Sequence, residues 1–399
     1  MQQIKLALLR LDYLFGAAII VCQLLNLQTL TSTFFYGTFF LTLMLWLCTT
    51  LERFDWLDLL VVLISVLAFT SVIMNGILAG AGFSFQYMKK YIMLCCTVIF
   101  FAAASKITIE KHTVRFLECL CLGIGAFLLR MFLSKNAQMH FLNGKYSQYL
   151  TFRFTNPNLT ALFLSCMIMF LIAASFQERN IAWKCLLLIM AAVEAVFLYQ
   201  TLSRNSMLAT AAFVCISLLL FLRKKQIKLK KWILWMAAVA PLLFAVIYMK
   251  FVYNATIAKI LSFIVREGKG LDSRVSIWNQ AITAFADSPI FGAYYQISNG
   301  TGTSQLHNTH IDILASYGII VFVMVCIFLY GVMRRKQERK QSYTQTIALV
   351  GFICALLLGI GEAALFSGGL SVYLYFGIFL LTNNEPQGIG ESCEDRICK

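Results

Sequence analysis

Long apolar runs alternate with short polar breaks from the first residues to about position 382. Runs of roughly 18 residues or more are long enough to cross ~30 Å of hydrocarbon as helices. Lipid offers the backbone no hydrogen-bond partners, so such runs must be helical. The pattern predicts twelve spans, near 11–29, 33–50, 57–79, 91–107, 116–134, 159–177, 182–200, 205–222, 232–253, 310–333, 345–362 and 367–382. The predicted fold is therefore all-α: a polytopic membrane protein with about 12 transmembrane helices. One membrane domain would cover 1–384, followed by a polar tail over 385–399.

Charge supplies the sidedness. The densest basic runs, RKKQIKLKK (223–231) and RRKQERK (334–340), fall in short connections between spans. Basic short loops face the cytoplasm, and an even count then puts both termini and the tail on that side. The net charge of +15 reads as orientation signals rather than as a nucleic-acid surface. The first apolar run lacks a small-residue cleavage site, and we expect it to continue as a helix. The thirteen cysteines are scattered, mostly in apolar runs, with no CxxC pair; they are expected to act as small hydrophobes.

The same topology sends two long connections outward, 135–158 and 254–309, the second lying between helices 9 and 10. Long ordered loops tend to be functional. Within the second, Val275, Trp278, Ile282 and Phe285 recur at helical spacing. They predict a short amphipathic helix near 274–286, on or near the outer membrane face. Asp272 or Ser273 can cap its start, and Pro289 and Gly292 lie past its end.

Candidate chemistry collects on that outer side. Arg153, Arg204 and Arg274 all fall there, against the positive-inside preference. Arg204 and Arg274 each follow a serine at a predicted helix start. One such arginine would be read as snorkelling to lipid headgroups. Two in the same context favour anion binding, because orphan helix amides and a guanidinium fork converge on phosphate oxygens. His307 and His310 sit one turn apart in HNTHIDILASYG (307–318). Imidazole can act as a general base near neutrality, as a metal ligand, or as a satisfied structural group. Asp312, two residues beyond His310, should point elsewhere, so no third metal ligand converges and no metal site is assigned. Glu362, in a glycine-rich turn between the last two spans, could pair with an arginine, act as a base, or be wetted at the interface.

These residues resemble the O-antigen ligase-like membrane proteins, which include O-antigen ligases and Wzy-type polysaccharide polymerases. His307-Asn308 followed by nine residues and Gly318 is similar to the His-Asn…Gly segment of the ligases. Arg274, Trp278, Pro289 and Gly292 resemble the family's arginine, tryptophan and proline–glycine positions in the large outer loop. SRNSMLA around Arg204 resembles its Ser-Arg segment, and Pro157-Asn158 after Arg153 also fits. Two positions depart from the ligase pattern. Val321 stands where Gly, Thr or Tyr is common, and FRFTNPN lacks a glycine between arginine and Pro-Asn.

The resemblance implies an inverting glycosyltransferase of the bacterial cytoplasmic membrane that needs neither cofactor nor metal. Its donor would be an undecaprenyl-diphosphate-linked glycan, and its acceptor another glycan or a lipid core. Arg204 and Arg274, with Arg153, would bind the diphosphate. His307, Arg274 and Glu362 would be the catalytic candidates, and Asn308, Trp278 and His310 would support them. The bilayer and other polysaccharide-assembly proteins would be its partners. The departures from the ligase pattern favour a polymerase of surface-polysaccharide repeat units over a ligase. A polysaccharide or lipid transporter is the alternative of another class, and it predicts charged spans and inverted repeats that the pattern lacks.

Overall fold

The computed structural model describes residues 1–78, 80, 85–134, 149–154, 156–223, 228–251, 254, 272–293, 306–338, 342–361 and 377–381, with only the backbone described at 85, 86, 272 and 273. Among the described residues, twelve helices are bounded, in order: α1 Gln2–Leu24, α2 Gln28–Glu52, α3 Trp56–Leu78, α4 Phe85–Lys106, α5 Lys111–Leu133, α6 Pro157–Gln177, α7 Ile181–Gln200, α8 Arg204–Arg223, α9 Lys231–Phe251, α10 Asp272–Asp287, α11 Thr309–Glu338 and α12 Tyr343–Leu357. A 3-10 turn, Leu358–Ile360, closes α12. No β-strand forms among the described residues. Ten of the described helices, α2 to α9 with α11 and with α12 taken together with its 3-10 turn, are long and apolar enough to cross a membrane. The protein is an all-α polytopic membrane protein. Of the predicted last span only 377–381 is described, and it is helical.

Helices α4, α6 and α12 are enclosed along most of their length, whereas α2, α7, α8 and α9 leave most of theirs facing outward. Helix α6 is apolar on all sides, as a central helix must be; Leu162, Phe163, Leu164, Met167 and Phe170 are all buried. The outward faces are apolar too, with Ile189 and Val196 on α7 and Leu208 and Leu218 on α8 exposed. Such surfaces suit hydrocarbon rather than water.

Two predicted spans are corrected. The first, expected at 11–29, starts nine residues earlier at Gln2. Its polar positions do not end the helix, because neighbours satisfy them. Lys5 pairs with Glu52, Arg10 donates to Thr113 at 2.9 Å, and Asp12 accepts from Thr42 at 2.9 Å. It stops at Leu24, beyond which Asn26 adopts a φ of 60°. The span expected at 310–333 is two helical pieces, broken at Gly318 (φ 85°, ψ 175°).

The helix ends segregate. At one end, Asp58 accepts hydrogen bonds from Trp46, Thr50 and the Asp55 amide and pairs with Lys106. Asp55 pairs with Arg335 at 2.9 Å. Arg335 belongs to the RRKQERK run, so part of that basic stretch ties α11 to the α2–α3 turn. The opposite end carries the starts of α8 and α11 and the turn after α12.

Candidate functional site

The site is built on the Gly318 break. A helix interrupted there leaves carbonyls of its preceding turn without amide partners, and buried carbonyls need them. Three groups supply them. The Ala293 amide donates to Ala315 at 2.7 Å, the Tyr87 hydroxyl to Ser316 at 2.6 Å, and the Ser71 hydroxyl to Tyr317 at 2.9 Å. The Ile319 amide in turn donates to Pro289 at 2.9 Å, and Asn75 holds the Phe291 carbonyl at 2.6 Å. The Pro289–Gly292 turn is thus locked into the break. Gly292 and Gly318 both have positive φ, and the Cβ that Gly318 lacks would sit 1.9 Å from the Ile290 carbonyl oxygen. Only glycine fits there.

This lock docks α10, which extends to either side of the predicted 274–286. Its inner face is Val275, Trp278 and Ala281, all buried, and they form a second apolar cluster with Ala245, Tyr248, Leu306, Ile311 and Ala315. Ile282 and Phe285 from the predicted apolar stripe are only half-buried. The helix therefore lies against α9 and α11 as part of the protein's packing. Trp278 meets Tyr248 edge to face at 5.7 Å, and its indole N–H donates to the Leu306 carbonyl at 2.7 Å.

Leu306 leads directly into His307, whose φ is +50°. A non-glycine residue in that region is strained and must be held by its surroundings. Asn308 holds the other side. Its Oδ1 caps the start of α11 by accepting from the His310 and Ile311 amides, each at 3.0 Å. Its Nδ2 donates to Pro241 at 2.8 Å and to Ile360 at 3.3 Å. Asn308 therefore joins α9, α11 and the 3-10 turn, and His307 sits half-buried at that corner.

The same 3-10 turn brings in the arginines. The Cβ that Gly361 lacks would sit 2.7 Å from Asn205 Nδ2 and 3.5 Å from Arg274 Nη1. Asn205 follows Arg204, the first residue of α8. Arg274 on α10 and the start of α8, about seventy positions apart in sequence, thus both approach Gly361. Asn205 and Gly361 escaped the sequence reading, since neither residue type signals chemistry alone. Arg153 is placed elsewhere: its guanidinium donates to the Leu24 carbonyl at 3.2 Å, at the end of α1, and no described contact joins it to Arg204 or Arg274. Glu362 lies outside the described residues.

His310 does not share a helix face with His307, because α11 begins at Thr309. It is buried, its Nε2 lies 2.6 Å from the Ala238 carbonyl on α9, and its ring meets Phe322 edge to face. Since a carbonyl only accepts, that nitrogen carries the proton. Proline at 241 disturbs the helix around its preceding turn, and Ala238 lies in that turn. Asp312 is buried and pairs with Lys90 of α4 at 2.6 Å, while Lys90 also donates to Ser316 at 3.1 Å.

A family model described as O-antigen ligase matches residues 185–326. That stretch runs from α7 into α11 and contains Arg204, Arg274, Trp278, His307, Asn308 and Gly318. The chain is also similar to the teichuronic acid biosynthesis protein TuaE of Bacillus subtilis, 24% identical over 296 residues. The alignment covers 67% of this chain, and the chain spans 60% of that relative's length.

Proposed function

The chain is an O-antigen ligase-like membrane protein, and from that premise we propose that it is a polysaccharide-assembly glycosyltransferase acting on a polyprenyl-diphosphate-linked glycan. One observation carries the reading: Arg274 of α10 and Asn205, the second residue of α8, both approach Gly361, which follows the 3-10 turn whose Ile360 carbonyl also receives Asn308, the neighbour of His307. Cation, helix amino terminus and imidazole therefore belong to one corner of the fold. Arg204 and Arg274 bind the diphosphate and stabilise the charge it gains on leaving. His307 takes the proton from the acceptor hydroxyl as that oxygen attacks the anomeric carbon. The bond from that carbon to the diphosphate oxygen breaks, its electron pair leaves with the diphosphate, and the configuration inverts. Imidazole suits this role because it titrates near neutrality. The arginines supply the positive charge a metal would otherwise bring.

Polymerisation of repeat units is the reading preferred here. The ligase pattern is incomplete at Val321, and the relative carries the name of a teichuronic acid biosynthesis protein. Transfer of a finished glycan to a lipid core or another envelope acceptor is the second reading, favoured by the family description itself. Purified protein incubated with a polyprenyl-diphosphate oligosaccharide, with and without chelator, separates them. A ladder of products supports a polymerase, and a single addition to a separate acceptor supports a ligase. No transfer to either acceptor would reject the enzyme, and loss of transfer with chelator would reject the metal-free step.

A further inference from the structure

We propose that Asn205 is a further substrate-binding residue: its carboxamide N–H group bonds the diphosphate oxygens of the glycan donor beside Arg274, across a gap that Gly361 keeps open. The proposal rests on the reading that Arg274 binds that diphosphate.

The geometry meets at one point. The Cβ that Gly361 lacks would sit 2.7 Å from Asn205 Nδ2, 3.3 Å from its Cγ and 3.5 Å from Arg274 Nη1. The amide nitrogen and the guanidinium nitrogen therefore lie no farther apart than the first and last of these distances combined, with the bare face of a glycine beneath both. The backbone does not demand that glycine. Gly361 has φ −105° and ψ −10°, close to the third position of a type I turn, which most residues adopt. A side chain at 361 would instead intrude on the two nitrogens above it.

Asn205 is also unlike other asparagines of the fold. The side chains of Asn75, Asn156, Asn180 and Asn308 are each spent on backbone groups. Asparagine is a poor helix former because its side chain competes for such groups. Asn205 is the second residue of α8 and half-buried, and among the described residues its carboxamide has no hydrogen-bond partner. Its N–H group is therefore available to a ligand.

The chemistry follows. Arg274 offers a forked cation to phosphate oxygens. Asn205 adds a neutral donor, and a hydrogen bond to an ionised oxygen is stronger than one to a neutral carbonyl. The carboxamide fixes where the diphosphate stands without adding charge.

Wild type, Asn205→Ala, Asn205→Asp, Gly361→Ala and Arg274→Ala, purified in lipid nanodiscs, test this with a polyprenyl-diphosphate oligosaccharide. KM for the glycan donor, kcat and melting temperature are read for each. No transfer by wild type would remove the enzyme and this proposal with it, and so would a wild-type KM in Arg274→Ala. With both readings intact, Asn205→Ala should raise the KM about tenfold or more. Asn205→Asp is the sharper variant. A carboxylate in the first turn favours a helix, so a merely structural asparagine would be replaced at no loss of melting temperature or of KM. Against a diphosphate that carboxylate repels, and the KM should rise further than in Asn205→Ala. Gly361→Ala should raise it too, because the methyl displaces the two side chains while the backbone stays unstrained. A wild-type KM in either Asn205 variant, or in Gly361→Ala, would overturn the proposal. Failure of both Asn205 variants to yield folded protein would likewise assign the residue to structure.

Discussion

The indole N–H of Trp278 donates to the carbonyl of Leu306 at 2.7 Å, across 28 positions of sequence. This bond sets where the chain stands as it enters His307, the strained residue at the corner. It also fastens α10, and Arg274 with it, to the start of α11. One contact therefore positions both halves of the proposed site.

Replacing Trp278 by Phe should keep most of the apolar packing and leave the Leu306 carbonyl unpaired, a loss of about 1–2 kcal/mol. Trp278→Ala should cost about 3 kcal/mol or more through the cavity it opens. In both, transfer should fall further than the amount of protein recovered from the membrane. Thermal unfolding of the purified variants beside their transfer rates checks this. A Trp278→Phe variant with full activity would show that the bond does not set the corner.

Gly318→Ala should be strongly destabilising. Its φ alone places an alanine in a region costing about 1–3 kcal/mol, and its Cβ would overlap the Ile290 carbonyl. Gly123→Ala on α5 is the control: a Cβ there meets no atom within 4 Å, and alanine should raise helix stability by up to about 1 kcal/mol. The comparison is read from the melting temperatures of the two variants.

Arg274→Ala and His307→Ala should each lower transfer by about a hundredfold or more while the protein stays in the membrane. Arg274→Lys should also be impaired, since a lysine lacks the paired donors of the guanidinium. Arg153→Ala should act differently, because its guanidinium caps the end of α1 at Leu24. A loss of stability is expected there, seen as earlier unfolding. Equal losses of transfer in all three alanine variants at unchanged stability would contradict the separation of Arg153 from the other two.

The Asp55 carboxyl should make the protein acid-sensitive. Burial pushes it up, but the hydrogen bond and charge of Arg335 and the charge of Lys106 outweigh this and hold it below its ordinary value of 3.8. A carboxyl lowered in the folded state stabilises above its unfolded value, and the contribution disappears as pH falls through the folded one. Stability should therefore decline below about pH 4, and less steeply in Asp55→Asn, measured as melting temperature against pH. Parallel curves would show that Asp55 is not the group involved.

Much of the fold was legible because lipid imposes simple rules. Run length predicted the spans, and basic runs predicted where the connections gather. Serine before arginine marked the start of α8, whereas α10 begins at Asp272 and holds Ser273 and Arg274 in its first turn; the spacing from His307 to Gly318 matched the length of the first helical piece of α11. The errors are instructive. Lys5 and Arg10 lie ahead of the first apolar run and shortened the predicted helix, because pattern cannot reveal that Glu52 and Thr113 satisfy them. Lys89 and Lys90 look alike as flanking lysines, yet one is exposed and the next is buried against Asp312. Consecutive helix positions point about 100° apart, so only the neighbouring helix decides which is enclosed.

The sequence by itself determined that this is an all-α membrane protein, and it supplied the candidate site residues at one end of it. The tertiary structure decided how those residues are sorted. Arg274 goes to Gly361 and Arg153 to Leu24; His307 stands at the corner while His310 is spent on Ala238; Asp312 joins Lys90. Apolar helix faces look the same whether they meet lipid or another helix, so hydrophobicity does not choose neighbours within the bilayer. The choice is made by shape and by the hydrogen bonds that buried polar groups must find, as at Gly318 and Asn308, where partners come from segments far apart in the chain.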